Sequence, residues 1–211
     1  MAELTVTTFA TLDGVMQGPG GPTEDPSGGF ERGGWLVPHF DAETGAVVSE
    51  IFARAGAFVL GRTTYDLMYS YWPQVTDPHD PVAAKLNTLP KFVASRTRTG
   101  FDWKGATHLK NVVDELPGLK QRTSGELQVH GSWGLVQTLI EHDLVDEYRI
   151  LTFPVIVGAG KRLFNPGAFP TTLSLVKSVV TGSGVVASFY RRVGALQTGA
   201  LEMPDSGSAG A

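Results

Sequence analysis

From Leu4 to Ala10 the chain is rich in Thr and Val and alternates with the period of a half-buried strand, which predicts an N-terminal β-strand. Periodicity then stops: Asp13 to Gly34 holds eight of the 26 glycines together with Pro19, Pro22 and Pro26, and reads as a long, mobile loop of the kind that closes over a ligand. Behind Asp41 or Thr44, either of which can cap exposed amides, Val47, Val48, Ile51, Phe52 and Ala55 recur at helical spacing. Ala57 to Leu60, ended by Gly61, is the short apolar run of a strand buried on both faces, and Thr63 to Tyr69 follows as a short helix. The alternation repeats: a strand at Phe92 to Ala94, a helix marked by Val112, Val113, Leu116 and Leu119, a strand at Leu127 to His130, and a helix marked by Leu135, Val136, Leu139 and Ile140. Val145 to Val157 is strand-like, with Pro154 marking a break or an edge. Past Phe164 the grammar changes to two β-rich runs, Thr172 to Val180 and Val185 to Arg191, joined by Gly182-Ser183-Gly184 as a hairpin. The pattern predicts an α/β fold with a mostly parallel sheet and antiparallel strands at one edge.

Length changes the picture only by limiting it: 211 residues give one full-sized domain, read as 1–194, followed by a small, polar, flexible tail at 195–211. Hydrophobic residues at 42% and charged residues at 18% are globular values. A net charge of −4 leaves no basic surplus, so neither nucleic acid nor a membrane surface is an expected partner. With no cysteine there is no disulfide framework, thiolate nucleophile or zinc ribbon. The first ten residues lack a basic n-region, and Glu50 and Arg54 interrupt the most apolar stretch, so a cytoplasmic location is expected.

In a parallel sheet, ligands bind outside the carboxyl ends of the strands, which directs attention to three segments. Gly61-Arg62-Thr63-Thr64 follows one strand, Ser95-Arg96-Thr97 another, and Gly131-Ser132-Trp133-Gly134 a third. The last lies between a strand and an amphipathic helix, where free amides and the helix dipole suit an anion such as a pyrophosphate; the plainer reading is a glycine turn with Ser132 as N-cap. Arg96 can pair bidentately with a phosphate or be a solvated arginine. Gly158-Ala159-Gly160-Lys161-Arg162 fails as a P-loop, since Val155 replaces the first glycine and Arg162 the metal-holding hydroxyl. His130-Gly131-Ser132 lacks the glycine that a nucleophile elbow places two residues before its serine, and the five histidines have no ligand-like spacing, so no catalytic metal is expected.

Taken in order, Thr11-Leu12-Asp13-Gly14-Val15-Met16, Gly61-Arg62-Thr63-Thr64-Tyr65, Ser95-Arg96-Thr97, His130-Gly131-Ser132-Trp133-Gly134-Leu135 and Val157 to Phe164 resemble the dihydrofolate reductase-like superfamily, in particular reductases of the RibD C-terminal-domain type. The resemblance spans roughly residues 3 to 193. It implies a three-layer sandwich around a mostly parallel sheet of about eight strands with a C-terminal antiparallel hairpin, NADPH as cofactor, and a homodimer. Cofactor-binding positions implied by the likeness are Met16, Gly61, Arg62, Thr63, Thr64, Ser95, Arg96, Thr97, Gly131, Ser132, Trp133, Gly134, Leu135 and Val136, with Arg96 on the 2′-phosphate. Asp13, Trp35 and His130 are the implied substrate contacts, and Asp13 with Met16 begins the loop over the nicotinamide. The acid that orients substrate in the folate enzymes has its nearest counterpart in Asp41, one residue out of register, either as a catalytic group or simply as the N-cap of its helix. Gly34 stands where those enzymes have a proline before the tryptophan, which argues against folate. The expected activity is hydride transfer to a C=N or C=O bond of a small, pterin- or pyrimidine-like heterocycle, with a non-catalytic NADP(H)-binding protein as the rival.

Overall fold

The structure, a computed structural model, describes residues 1–201. Its strands are β1 (Leu4–Thr11), β2 (Ala55–Gly61), β3 (Lys91–Ala94), β4 (Ala106–Leu109), β5 (Glu126–His130), β6 (Glu147–Phe153), β7 (Thr171–Val180) and β8 (Val186–Ala195). Five α-helices join them: α1 (Ala42–Ala53), α2 (Arg62–Tyr71), α3 (Pro81–Thr88), α4 (Val112–Arg122) and α5 (Trp133–Glu141). The strands form one sheet in the order β4-β3-β2-β5-β1-β6-β8-β7, parallel from β4 to β6, with β8 and β7 antiparallel at one edge. This is the mostly parallel α/β sheet with an antiparallel edge that the alternation of strands and helices predicts, and the eight-stranded dihydrofolate reductase-like sandwich that the resemblance implies.

Because side chains alternate across a strand, each strand serves two layers. Leu4, Val6, Val59, Leu127 and Val129 pack on one side with Leu116 and Leu119 of α4 and Val136 and Leu139 of α5. On the other side α1 contributes Val47 and Ile51 beside Leu151, Phe153 and Phe189, while Phe52, Phe58, Leu60, Tyr65 of α2 and Leu86 of α3 form a third cluster.

Several boundaries differ from the sequence pattern for local reasons. Ala55 is the first residue of β2, not the end of α1, which stops at Ala53. Helix α3 escapes the periodicity because it is short, although Asp80 caps it by accepting from the amides of Val82 and Ala83, with Pro81 in its first turn. Strand β4 is a short sheet edge with only Leu109 fully buried, so no apolar run marks it. Strand β6 ends at Phe153, immediately before Pro154. At the carboxyl terminus β8 extends through Ala195, and the Gln197 amide donates to Thr172 Oγ1 at 3.0 Å, so chain expected in the tail is engaged with β7; residues 202–211 lie outside the described residues.

The glycine-rich segment is not the free excursion expected of it. Gln17, 4% exposed, donates to the carbonyls of Asp25 and Ser27 at 3.0 and 2.9 Å, and its Oε1 accepts from the Lys161 amide at 3.0 Å. Trp35 Nε1 donates to the Gln17 carbonyl, and the Gly34 amide to Gly18. Two backbone runs meet at Gly33, where a Cβ would stand 2.3 Å from the Gly21 carbonyl oxygen; glycine is required there to close the loop. Phe30 is buried beneath it.

Candidate active site

A cleft of about 1010 Å³ opens at the carboxyl ends of β1 and β5, bounded by α1, α2, the start of α3 and the glycine-rich loop. Two helix starts are stitched together on its wall. Ser132 Oγ accepts from the Gly61 amide at 3.0 Å and donates to the His130 carbonyl at 3.2 Å, while the Ser132 amide donates to Thr64 Oγ1 at 3.1 Å. The chain can turn this sharply because Gly131 and Ser132 both have positive φ, 57° and 55°. Ser132 is therefore not the side-chain N-cap that a serine before a helix predicts: no side chain caps α5, nor α2, whose N-cap is Gly61. First-turn amides of both helices are left for water or a ligand. A Cβ added at Gly131 or Gly134 would meet nothing within 4 Å, which leaves open space over the α5 turn.

The loop forms the facing wall through Gly18 to Gly21, Thr23, Glu24 and Asp25. Burial raises Asp25, but its bonds to Lys161 and Ser27 outweigh this and hold its pKa below the usual carboxylate range; Lys161 Nζ stands 2.5 Å from Asp25 Oδ2. Glu24 behaves oppositely, because burial lifts its pKa above the ordinary value despite the bond it accepts from the Gly20 amide. Two further carboxylates reach the cleft: Asp80, capping α3, and exposed Asp77, accepting from the His79 amide.

On the floor, His130 is 7% exposed and stacks on Phe52 with ring centroids 4.2 Å apart. Burial, and then the Arg149 charge, push its pKa down to about 3, so the imidazole is neutral at physiological pH.

Residues 2–187 match the model of the RibD C-terminal domain. The chain belongs to the RibD C-terminal domain family. Another protein similar to this RibD C-terminal domain is the uncharacterised YyaP of Bacillus subtilis (strain 168), 28% identical over 182 residues, covering 85% of this chain and 89% of YyaP. Among solved structures, a protein of Shewanella sp. PV-4 described as a riboflavin biosynthesis protein superposes with a TM-score of 0.68 at 22% identity, covering 92% of this chain and 99% of the other. The dihydrofolate reductase of Enterococcus faecalis, solved with NADP(H), superposes with a TM-score of 0.57 at 14% identity over 90% of this chain and 96% of its own. At these identities the likeness is one of fold.

Within this RibD C-terminal domain, the residues that the resemblance singled out separate into groups. Met16, Thr63, Thr64, His130, Gly131, Ser132 and Trp133 line the cleft. Gly61 stands behind Ser132, and Arg62 lies at the start of α2, paired with Asp66 at 2.9 Å. Leu135 and Val136 put their side chains into the α4–α5 core, so only their backbone lies at the turn. Ser95, Arg96 and Thr97 follow β3 outside the cleft lining; Ser95 Oγ accepts from the Thr97 and Arg98 amides, and Arg96 is exposed with no ion pair among the described residues. Asp13 does not face the cleft: its carboxylate accepts from Thr11 Oγ1 and the amides of Val157 and Gly158, pinning two loops, and these bonds, Thr11 first, lower its pKa. Trp35 is a core residue against Phe153, and its neighbours Leu36 and Phe40 line the cleft instead. Asp41 is the N-cap: it accepts from the Thr44 amide and hydroxyl, both at 2.7 Å, and from the Ser183 amide at 3.0 Å. Those bonds, the Thr44 amide first, hold its pKa near 2, and it does not line the cleft, so capping and not proton transfer is its geometry. Sequence reasoning passed over Glu24, whose only signal was an acid inside a glycine-rich segment.

Proposed function

We propose that this chain is an NADPH-dependent reductase transferring hydride to a C=N or C=O bond of a small heterocycle. The observation that carries the reading is the junction of the α2 and α5 starts through Ser132, with uncapped amides and open space beside a large cleft. Such a junction suits a diphosphate, and the cleft has the volume and mixed lining of a cofactor-and-substrate site. Bound NADPH supplies the hydride. The chain's own residues bind and orient: the backbone from Trp133 to Leu135 and the turn at Gly131 take the diphosphate, and Arg96, which has no ion pair among the described residues, takes the 2′-phosphate. Phe40, Val48 and Phe52 supply the apolar wall for a flat heterocycle. Glu24 is the group assigned to donate a proton to the reduced bond, because it is the cleft carboxylate whose pKa burial raises above the ordinary value.

Fluorescence titration with NADPH and NADH tests the cofactor assignment. A preference of at least about tenfold for NADPH is expected from a charge-assisted contact; equal binding overturns it. With a panel of pterins, pyrimidines and small ketones, Glu24→Gln is expected to slow NADPH oxidation by about 10²–10⁴ while leaving NADPH affinity unaltered. Tight NADPH binding with no turnover on any of them would favour a non-catalytic binding protein. We also propose that a second copy of the chain packs on the β7 edge, where Leu175, Val176 and Val180 are 53%, 58% and 68% exposed. Light scattering that gives a concentration-independent monomer mass refutes this.

A further inference from the structure

The side chains that β5 turns toward α1 are Glu126, Gln128 and His130, all buried. Their hydrogen bonds run in one direction only. Arg149, fully buried, grips both oxygens of Glu126 at 2.8 Å, and Arg54 adds a second cation at 2.6 Å. Burial raises Glu126, yet Arg149, Gln128 and Arg54 together hold its pKa below the ordinary glutamate range, so it acts purely as an acceptor. Gln128 Nε2 donates to that carboxylate at 2.8 Å and to the Ile51 carbonyl at 2.7 Å. Both partners accept only, which fixes the amide: nitrogen toward them, Oε1 toward His130. At 3.0 Å from Gln128 Oε1, His130 Nε2 must carry its proton. A neutral imidazole protonated on Nε2 has a lone pair on Nδ1, and Nδ1 has no partner among the described residues.

Thr7 lies beside His130 in the parallel register of β1 and β5, lines the same cleft and is 4% exposed. Its Oγ1 is buried with no hydrogen-bond partner among the described residues. A buried hydroxyl left unmatched is costly, and a rotation between staggered χ1 wells turns it toward a ligand.

We infer that His130 is a specificity-determining residue: its tautomer is locked by Gln128 so that Nδ1 accepts one N–H from the substrate, with the Thr7 hydroxyl donating to an oxygen beside that N–H. Glu126 and Arg149 act through Gln128 as positioning residues. The inference rests on reading the cleft as a substrate site. It adds that the ring edge meeting the floor must carry a hydrogen-bond donor, and that an N-alkylated or aza analogue is rejected because it leaves a buried lone pair or a methyl group against Nδ1.

The probes are phthalimide, which has a single N–H between two carbonyls, and N-methylphthalimide, which lacks the donor. Binding is followed by ligand-observed NMR, with and without saturating NADPH. The parent protein is expected to bind phthalimide about tenfold more tightly than its N-methyl analogue. His130→Phe should abolish that ratio, Gln128→Leu should reduce it by freeing the tautomer, and Thr7→Val should weaken phthalimide more than N-methylphthalimide. Nitrogen NMR of histidine-labelled parent protein gives a readout independent of any variant's folding: His130 should show the Nε2–H tautomer. An Nδ1–H tautomer, equal binding of the two probes, no binding of either, or an unchanged ratio in folded His130→Phe each overturns the inference. NADPH titration of the same samples separates the two ideas, since loss of NADPH binding breaks the reductase reading and leaves the probe ratio to be judged in apo protein.

Discussion

On the side of the sheet that meets α4 and α5, Val6, Val59, Leu127 and Val129 pack against Leu116, Leu119, Val136 and Leu139. On the side that meets α1, the same strands present Thr5, Thr7, Gln128 and His130, and β6 adds Glu147 and Arg149, all of them buried. The first face is held by removal of apolar area from water, which is non-directional and tolerant of detail. The second also buries apolar clusters around Ile51, Phe153 and Phe58, and beside them it carries a neutral run of alternating charges, Arg54, Glu126, Arg149, Glu147, Arg191 and Glu3, each pair within 3.2 Å. Such a run gains little net stability over an apolar core, because desolvation offsets the attraction, but it fixes orientation. Polarity lies under the cleft, where a side chain's direction matters; the apolar layer lies where only volume matters.

The sharpest way to break this contrast is to remove one central charge. Arg149→Met is expected to cost about 3–5 kcal/mol in urea denaturation, since it leaves two buried carboxylates to the half-exposed Arg54 and Arg191 alone, whereas replacing Arg149, Glu126 and Glu147 together by leucine or methionine should restore much of the loss. If Arg149→Met costs under about 1 kcal/mol, the polar face is not organised by these ion pairs.

A smaller effect is expected at the β3 loop proposed to take the 2′-phosphate. Arg96→Ala should weaken NADPH by roughly 1.5–3 kcal/mol and leave NADH unchanged, as read by paired titrations; parallel losses for both nucleotides would move the 2′-phosphate away from the β3 loop.

Acid should act through the polar face first. His130 is depressed to about 3, so the folded protein keeps the ring neutral while the unfolded chain takes up a proton as pH falls below about 6.5. Stability from this group is complete above that value and is lost progressively toward pH 3, because unfolding is the step that binds the proton. Between pH 6.5 and 5 the melting temperature of the parent should fall more steeply than that of His130→Phe. Parallel curves would mean that the ring is protonated in the fold.

The smallest effect belongs to Asp41→Asn. Asparagine caps a helix about as well as aspartate, and the carboxylate is occupied by Thr44 and Ser183 outside the cleft. NADPH oxidation is expected to remain at the parent rate; a fall of about 10² or more would return Asp41 to proton transfer.

The apolar face was legible without the fold. Val112, Leu116 and Leu119, and Leu135, Val136 and Leu139, reveal their helices because a layer that buries one stripe must repeat it every turn. The hairpin of β7 and β8 and the glycine turn at Gly131 were legible for the same kind of reason, since glycine and β-branched residues report local backbone demands. Strand β4 and helix α3 were not, being too short or too exposed for any period to register.

Other features depended on residues far apart in the chain. Asp13 and Asp41 look like active-site acids in sequence, but amides 145 and 142 positions away have claimed their carboxylates. Glu24 looks like solvated loop, and only the packing of that loop over the cleft shields it enough to raise its proton affinity. The tautomer of His130 is set by Gln128, whose orientation depends on Ile51 and Glu126, and that of Glu126 on Arg149 from β6. Sequence alone determined which layers exist, because burial of a periodic face is a local instruction. Tertiary structure decided which polar groups are spent on one another and which remain for a ligand, because a hydrogen bond is directional and its partners are chosen only when the strands meet.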